Sequence, residues 1–290
     1  MVEPVPGILD QILAARRKRL EEARARVPLA LLEQSIEART EYRDFAPAIS
    51  SRNHAAERGG LRVIAELKRA SPSGGILRRD YSCTEIARSY ESAEASALSV
   101  LTEPDFFQGT LKDLAEVRKA VRLPVLRKDF ILDPYQVFES VAAGADALLL
   151  IVTALDDREL HSLIELCHRL RVAALVEVHT AEELDRAIAA GARILGVNNR
   201  NLKTLDVDLE TSFRLRARIP PGCLAVSESG IQSAGDLRRL SEAEFDAALI
   251  GERFMKAPDP GRELAEMLHL AFDLARRDGP PPAVGTRDWK

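Results

Sequence analysis

Glu66 and Lys68 close the apolar run LRVIAELK (61–68), and Lys128 closes PVLRKDF (124–130), so charge stands where a buried strand would stay apolar. The period-two alternation of a strand sends Ile64, Glu66 and Lys68 to one face and Val63, Ala65 and Leu67 to the other. A carboxylate and an ammonium on one buried wall are costly unless they satisfy each other or do chemistry. Together they suit proton transfer on an anionic ligand.

The pattern recurs. Apolar runs with polar ends appear at 61–68, 97–103, 124–130, 147–152, 173–179, 194–200, 224–230 and 247–254, separated by segments with apolar residues at three- and four-residue spacing. Several of these segments open with an Asp, Ser or Thr suited to capping a helix. Eight alternations of strand and helix predict a (β/α)8 TIM barrel, an α/β fold of roughly 250 residues. A doubly wound open sheet is the alternative; it needs fewer units and usually a glycine-rich first turn. In the barrel the site forms at the C-terminal strand ends, which gathers Glu66, Lys68, Lys128, Glu177, Asn198, Arg200, Glu228 and Ser229 at one mouth. Three carboxylates then face three cations and hold one another ionised until an anionic ligand displaces part of the pairing.

The elements that carry these residues fit one large domain of 290 residues, 46% hydrophobic and 30% charged. A net charge of −4 argues against nucleic acid as partner, and no stretch has the character of a membrane anchor. Cys83, Cys167 and Cys223 are scattered singly, as thiols of a reducing cytoplasm would be, and none of the five histidines has metal-ligand spacing. No metal is expected. Residues 1–60 read as an N-terminal helical extension with a connecting loop at 51–60, residues 61–277 as the barrel, and 278–290 as a flexible tail. Within the extension, Ile8, Ile12, Leu13 and Leu20 form a helical stripe that lies on the barrel.

Strand seven runs into SESGI and strand eight into IGERF, which places Gly230 and Gly251 where backbone amides can approach a ligand. In barrels the loops after strands seven and eight commonly bind phosphate.

The segments IAELKRASPSGG, ALSVLTEPDFFQGTLKDL, LPVLRKDFILDPYQVFESVAAGADALLLIV, LVEVHTAEELDRAIAAGARILGVNNRNL, VSESGI and ALIGERFM, in this order and with the N-terminal ILDQILAARRKRLEEAR, resemble the indole-3-glycerol phosphate synthase family. The resemblance implies a decarboxylating carbon–carbon lyase of tryptophan biosynthesis. Its substrate would be the anionic 1-(2-carboxyphenylamino)-1-deoxyribulose 5-phosphate. It further implies Lys128 as an acid, Glu177 as the catalytic carboxylate, and Glu66 and Lys68 as the E-x-K pair, with either lysine open to either acid step. Burial and nearby cations would lower a lysine toward working pH.

Asn198, Arg200, Glu228 and Ser229 match substrate-holding positions, Ser71, Gly230 and Gly251 the phosphate side, and Phe107 and Phe130 could form a slot for the aromatic ring. The chain departs from the family pattern at Gly74, where many members carry lysine, and at Glu94, where glycine is frequent. No cofactor is expected, and the chain is expected to act as a monomer or weak homo-oligomer. The alternatives are another phosphosugar barrel, such as phosphoribosylanthranilate isomerase, and a non-catalytic phosphate-binding barrel.

Overall fold

The computed structural model describes residues 7–51, 60–202 and 204–272; the expected tail at 278–290 and most of the connecting loop, 52–59, lie outside the described residues. Eight parallel strands close into a barrel: β1 (Arg62–Leu67), β2 (Ala97–Leu101), β3 (Val125–Lys128), β4 (Ala147–Ile151), β5 (Ala173–Val178), β6 (Ile194–Asn198), β7 (Leu224–Glu228) and β8 (Ala247–Ile250). Each pairs with its sequence neighbours, and β8 pairs with β1 through Arg62 opposite Ala247 and Ala65 opposite Ile250. The chain folds as a (β/α)8 TIM barrel with an N-terminal helical segment.

Alternation sorts the apolar residues. Ile64, Leu126, Leu149, Leu175, Ile194, Val226 and Leu249 fill the barrel interior, whereas Val63, Ala65, Leu67, Leu98, Val100 and Val176 face the surrounding helices.

Those helices are α4 (Cys83–Ser92), α5 (Leu111–Ala120), α6 (Pro134–Ala142), α7 (Asp157–Arg169), α8 (Ala181–Ala189), α9 (Glu210–Arg216), α10 (Ala234–Glu242), α11 (Glu252–Lys256) and α12 (Pro260–Phe272). Side chains of Thr110, Asp133, Asp156, Thr180 and Ser233 accept backbone N–H bonds at five of their N-termini. Five helices end alike, with Glu94, Gly144, Arg171, Gly191 or Glu244 at positive φ. The next amide then returns to a carbonyl five residues back, as in Ala95 to Tyr90 and Ala145 to Ser140, both 3.0 Å. Glu94 thus occupies a left-handed position that glycine adopts without strain.

The N-terminal segment closes the barrel at both ends. Helix α1 (Ile8–Arg26) buries Leu9, Ile12, Leu13, Arg16 and Leu20, and Leu9 and Ile12 reach the mouth at the C-terminal strand ends. Each buried leucine or isoleucine contributes about 1.5–3 kcal/mol. The buried face differs from the expected stripe at three positions: Ile8 is half-exposed at the mouth, Leu9 is buried beside it, and Arg16 is buried in a 3.1 Å ion pair with Asp129. Helix α2 (Leu29–Glu37) packs along α6, and α3 (Phe45–Ile49) puts Phe45 and Ile49 into the opposite end of the interior.

Two buried aspartates stitch that lower end. Asp146 accepts from the backbone N–H of Val125 (3.0 Å) and of Arg43 (3.1 Å). Asp246 accepts from Ala225 (2.9 Å) and Ser51 (3.2 Å). Among the described residues no helix is long and apolar enough to cross a membrane.

Candidate active site

A cavity of about 510 Å³ opens at the C-terminal strand ends. Glu66, Lys68, Ser71, Phe107, Lys128, Phe130, Glu177, Asn198, Arg200, Glu228, Ser229, Gly230 and Gly251 all line it, so every site residue named from the sequence comes to one place.

Charge is paired at its floor. Lys68 Nζ lies 2.8 Å from Glu66 Oε1. Lys128 donates to Glu177 at 3.1 Å and also to Glu228. The neighbouring Asp129 points the other way, as alternation requires, and joins Arg127 (2.9 Å) and Arg16 outside the barrel. Arg200 departs from the expected balance of three and three: it pairs with a fourth carboxylate, Glu252, at 3.3 Å, and donates to Leu205 O at 3.1 Å.

These contacts set the protonation states. Burial works against the Lys128 charge, but Glu228, Glu177 and Glu66 outweigh it and hold the ammonium above the ordinary lysine range. This corrects the expectation of a lysine lowered toward working pH: its charged neighbours are anions, not cations. Burial also acts upward on Glu177, yet Lys128 and His179 bring its carboxyl below the usual range.

Glu228 goes the other way. Burial, with repulsion from Glu177 and Glu66, takes it to about 7 despite the lysine. The opposite directions follow from geometry, because Lys128 and His179 both face Glu177, whereas Glu228 Oε1 is buried without a hydrogen-bond partner among the described residues. One ammonium held by two carboxylates, one of them near neutrality, can give a proton to a developing alkoxide and take one back.

The apolar wall comes from several elements. The rings of Phe107 and Phe130 lie 6.3 Å apart, and Ile8, Leu9 and Ile12 of α1 line the same cavity. Phe107 is held in place by Glu103, whose carboxylate accepts from the backbone N–H groups of Asp105, Phe106 and Phe107 at 2.7–3.1 Å.

On the opposite side, Ser71 Oγ accepts from Gly74 N–H (3.0 Å), turning the loop after β1. A Cβ on Gly74 would sit 2.9 Å from both Ser71 Oγ and Leu77 Cδ2, so the departure from lysine fits a tight bend. Ser229 and Gly230 are both left-handed, at φ 65° and 79°, and turn the chain sharply after β7. Gly251 sits against Glu66: a Cβ there would lie 2.4 Å from Glu66 Oε1.

Sequence reasoning passed over Glu103, His179, Gly196, Glu252 and the α1 side chains. His179 is legible, one alternation beyond Glu177 on the same strand face. The turn held by Glu103 is local, closed within four residues, whereas Gly196, Glu252 and the α1 side chains depend on contacts between distant segments. Of ligand-type side chains among the described residues, Cys83, Asp113 and Glu116 approach one another, but none lines the cavity.

The family model for indole-3-glycerol phosphate synthase matches residues 9–267. The indole-3-glycerol phosphate synthase of Polaromonas sp. is 46% identical over 263 residues, covering 91% of this chain and 98% of that one. That of Laribacter hongkongensis is 47% identical over 261 residues, covering 90% and 98%. Among solved structures, 3-hexulose-6-phosphate synthase from Salmonella typhimurium aligns with a TM-score of 0.59 at 13% identity, over 73% of this chain and 98% of that chain. Thiamine phosphate pyrophosphorylase from Pyrococcus furiosus gives 0.56 at 17%, over 74% and 96%. At such identities these two carry the barrel fold alone. Continuous sequence likeness from α1 through α12 carries more: the chain belongs to the indole-3-glycerol phosphate synthase family.

Proposed function

We propose that this enzyme, as a decarboxylating carbon–carbon lyase, converts 1-(2-carboxyphenylamino)-1-deoxyribulose 5-phosphate to indole-3-glycerol phosphate, carbon dioxide and water, with Lys128 and Glu177 as the principal acid and base. The observation that carries this reading is the Lys128 ammonium held between Glu177 and Glu228 at the floor of a cavity whose other wall is apolar.

The anthranilate ring lies against Phe107 and Phe130, and the phosphate reaches Ser71, Ser229, Gly230 and Gly251. Arg200 and Asn198 hold the carboxylate and sugar hydroxyls between them. The ketone oxygen faces Lys128. As the ring carbon bearing the carboxylate attacks the ketone, negative charge grows on that oxygen, and the ammonium stabilises and then protonates it. An ammonium kept charged by its neighbours is suited to an alkoxide, a strong base.

Carbon dioxide leaves as the ring regains aromaticity. The new hydroxyl then departs as water with a second proton, for which Lys68 is placed beside Glu66, while Glu177 removes a proton from the adjacent ring carbon. Two protons are delivered and one is taken, which balances the loss of the substrate carboxylate as neutral carbon dioxide. The steps involve no redox change, so this mechanism calls for neither a metal nor an organic cofactor. Action as a monomer or weak homo-oligomer is part of the same proposal.

The test is incubation of the purified protein with the carboxyphenylamino substrate, read by indole fluorescence. Parent protein should form product, and Lys128→Met should nearly abolish turnover while leaving the fold intact. Turnover of that variant within about tenfold of the parent would remove Lys128 from its role.

A further inference from the structure

His179 stands on β5's extension, two residues beyond Glu177 on the same face, and its ring is clamped between two carboxylates. Nδ1 lies 3.2 Å from Glu183 Oε2 and Nε2 lies 3.4 Å from Glu177 Oε1. The clamp is built. Glu183, on the first turn of α8, also accepts from the His179 backbone N–H (2.7 Å) and from Thr153 Oγ1 (2.6 Å), so its carboxylate is fixed from the β4 and β5 loops at once. Because a carboxylate only accepts, Nδ1 is the protonated nitrogen, and Nε2 carries a proton toward Glu177 only when the ring is an imidazolium. Nε2 is buried and has no hydrogen-bond partner among the described residues.

We propose that His179 is a positioning residue, its ring charged between Glu177 and Glu183, that keeps Glu177 ionised and aimed at Lys128. This rests on the reading of Glu177 as the base. The charged groups that bear on the ring are Glu177 on its own strand, Glu183 on α8, Glu228 on β7, and Lys128 on β3 acting across Glu177. Burial opposes the imidazolium, but the hydrogen bond it donates to Glu183 and the charge of Glu177 outweigh it and raise His179 above the ordinary histidine range. Burial also acts upward on Glu183, which hydrogen bonds from His179 and Thr153 nevertheless bring down to about 2. The anion on the Nδ1 side is therefore present throughout the working range, and Glu177 has cations at both oxygens.

The experiment compares kcat against pH for the parent, His179→Asn and Glu183→Gln. Asparagine keeps a donor without charge, so the acid limb, where Glu177 gains a proton, should move up by about one pH unit or more, the size expected when a cation within 4–6 Å of a carboxylate is lost. Glu183→Gln leaves the cavity intact but weakens the imidazolium, so its limb should move the same way by less. KM should hold in both. An unmoved limb in active His179→Asn overturns the proposal, as does a uniform fall in kcat with the limb in place. Should His179→Asn fail to fold, an unmoved limb in Glu183→Gln does the same. Glu177→Gln is run alongside. An inactive parent, or full activity of Glu177→Gln, sinks the functional reading instead of this one.

Discussion

The Glu228 carboxyl lies over Gly196 on the neighbouring strand, in the space a side chain would fill: a Cβ on Gly196 would be 2.2 Å from Glu228 Oε1. The hydrogen at that position is what lets Glu228 reach Lys128. Gly196→Ala should therefore displace Glu228 and with it the lysine, lowering kcat/KM by about 10²-fold, as ångström-scale misplacement does. Steady-state kinetics decide this, and a parent-like value would show that Glu228 can move at no cost to catalysis.

Glu228 also makes stability depend on pH. Its folded carboxyl titrates at about 7, above the ordinary 4.5, because burial disfavours the anion. A group raised in the folded state contributes most below its unfolded value, and that contribution is lost as pH rises from about 4.5 through about 7. Thermal melts across this window should fall more steeply for the parent than for Glu228→Gln. Parallel slopes would mean that Glu228 is ionised throughout.

Gly251 and Gly230 should fail differently. A methyl at Gly251 strikes Glu66, so Gly251→Ala should lower kcat as well as raise KM. Gly230→Val combines left-handed backbone with a Cβ 2.7 Å from Val207 Cγ1, and should chiefly weaken binding of the phosphate. Inorganic phosphate should compete with substrate in the parent and much less in Gly230→Val. Equal inhibition of both would move the phosphate away from the loop after β7.

Backbone conformation alone sets a fourth expectation. Gly191 has φ +91° with open space around its Cβ position, so Gly191→Ala should cost about 1 kcal/mol without any clash. Glu94→Gly should change stability in the opposite sense, since Glu94 bears the left-handed strain that glycine avoids. Denaturant melts measure both, and destabilisation by Glu94→Gly would assign its side chain a larger share than its backbone.

Activity should survive exhaustive treatment with a chelator, because acid and base groups supply each step of the proposed reaction. A strict requirement for added divalent metal would direct attention to Glu66, Glu177 and Glu228 as ligands.

The strand ends were legible because alternation is local: a charged residue closing an apolar run shows its position without knowledge of its partner. Glu66, Lys68, Lys128, Glu177 and Glu228 are all of this kind. Their protonation was not legible, since the rise in Lys128 and the split between Glu177 and Glu228 depend on which carboxylates meet across the mouth. Arg200 shows the same limit, its fork being visible in the sequence but its partner, Glu252, lying 52 residues away. Gly196 reads as an ordinary strand glycine until Glu228 is seen to lie over it. Helix α1 announces itself by its stripe, but the burial of Arg16 does not show there, because its partner Asp129 lies in a distant segment, just after β3.

The two stitching aspartates follow a metric of their own. Asp146 and Asp246, and the amides they bind, Val125 and Ala225, are each separated by one hundred positions, and so are the cap residues Asp133 and Ser233 and the left-handed Gly144 and Glu244. The units that begin at β3 and at β7, on opposite sides of the barrel axis, are therefore braced at matching places. Lys128 and Glu228 share that separation. Equivalent places in the two units carry opposite charges, and their meeting at the centre is a broken symmetry. A sequence designed for perfect internal repetition would put two like charges there and lose the pair.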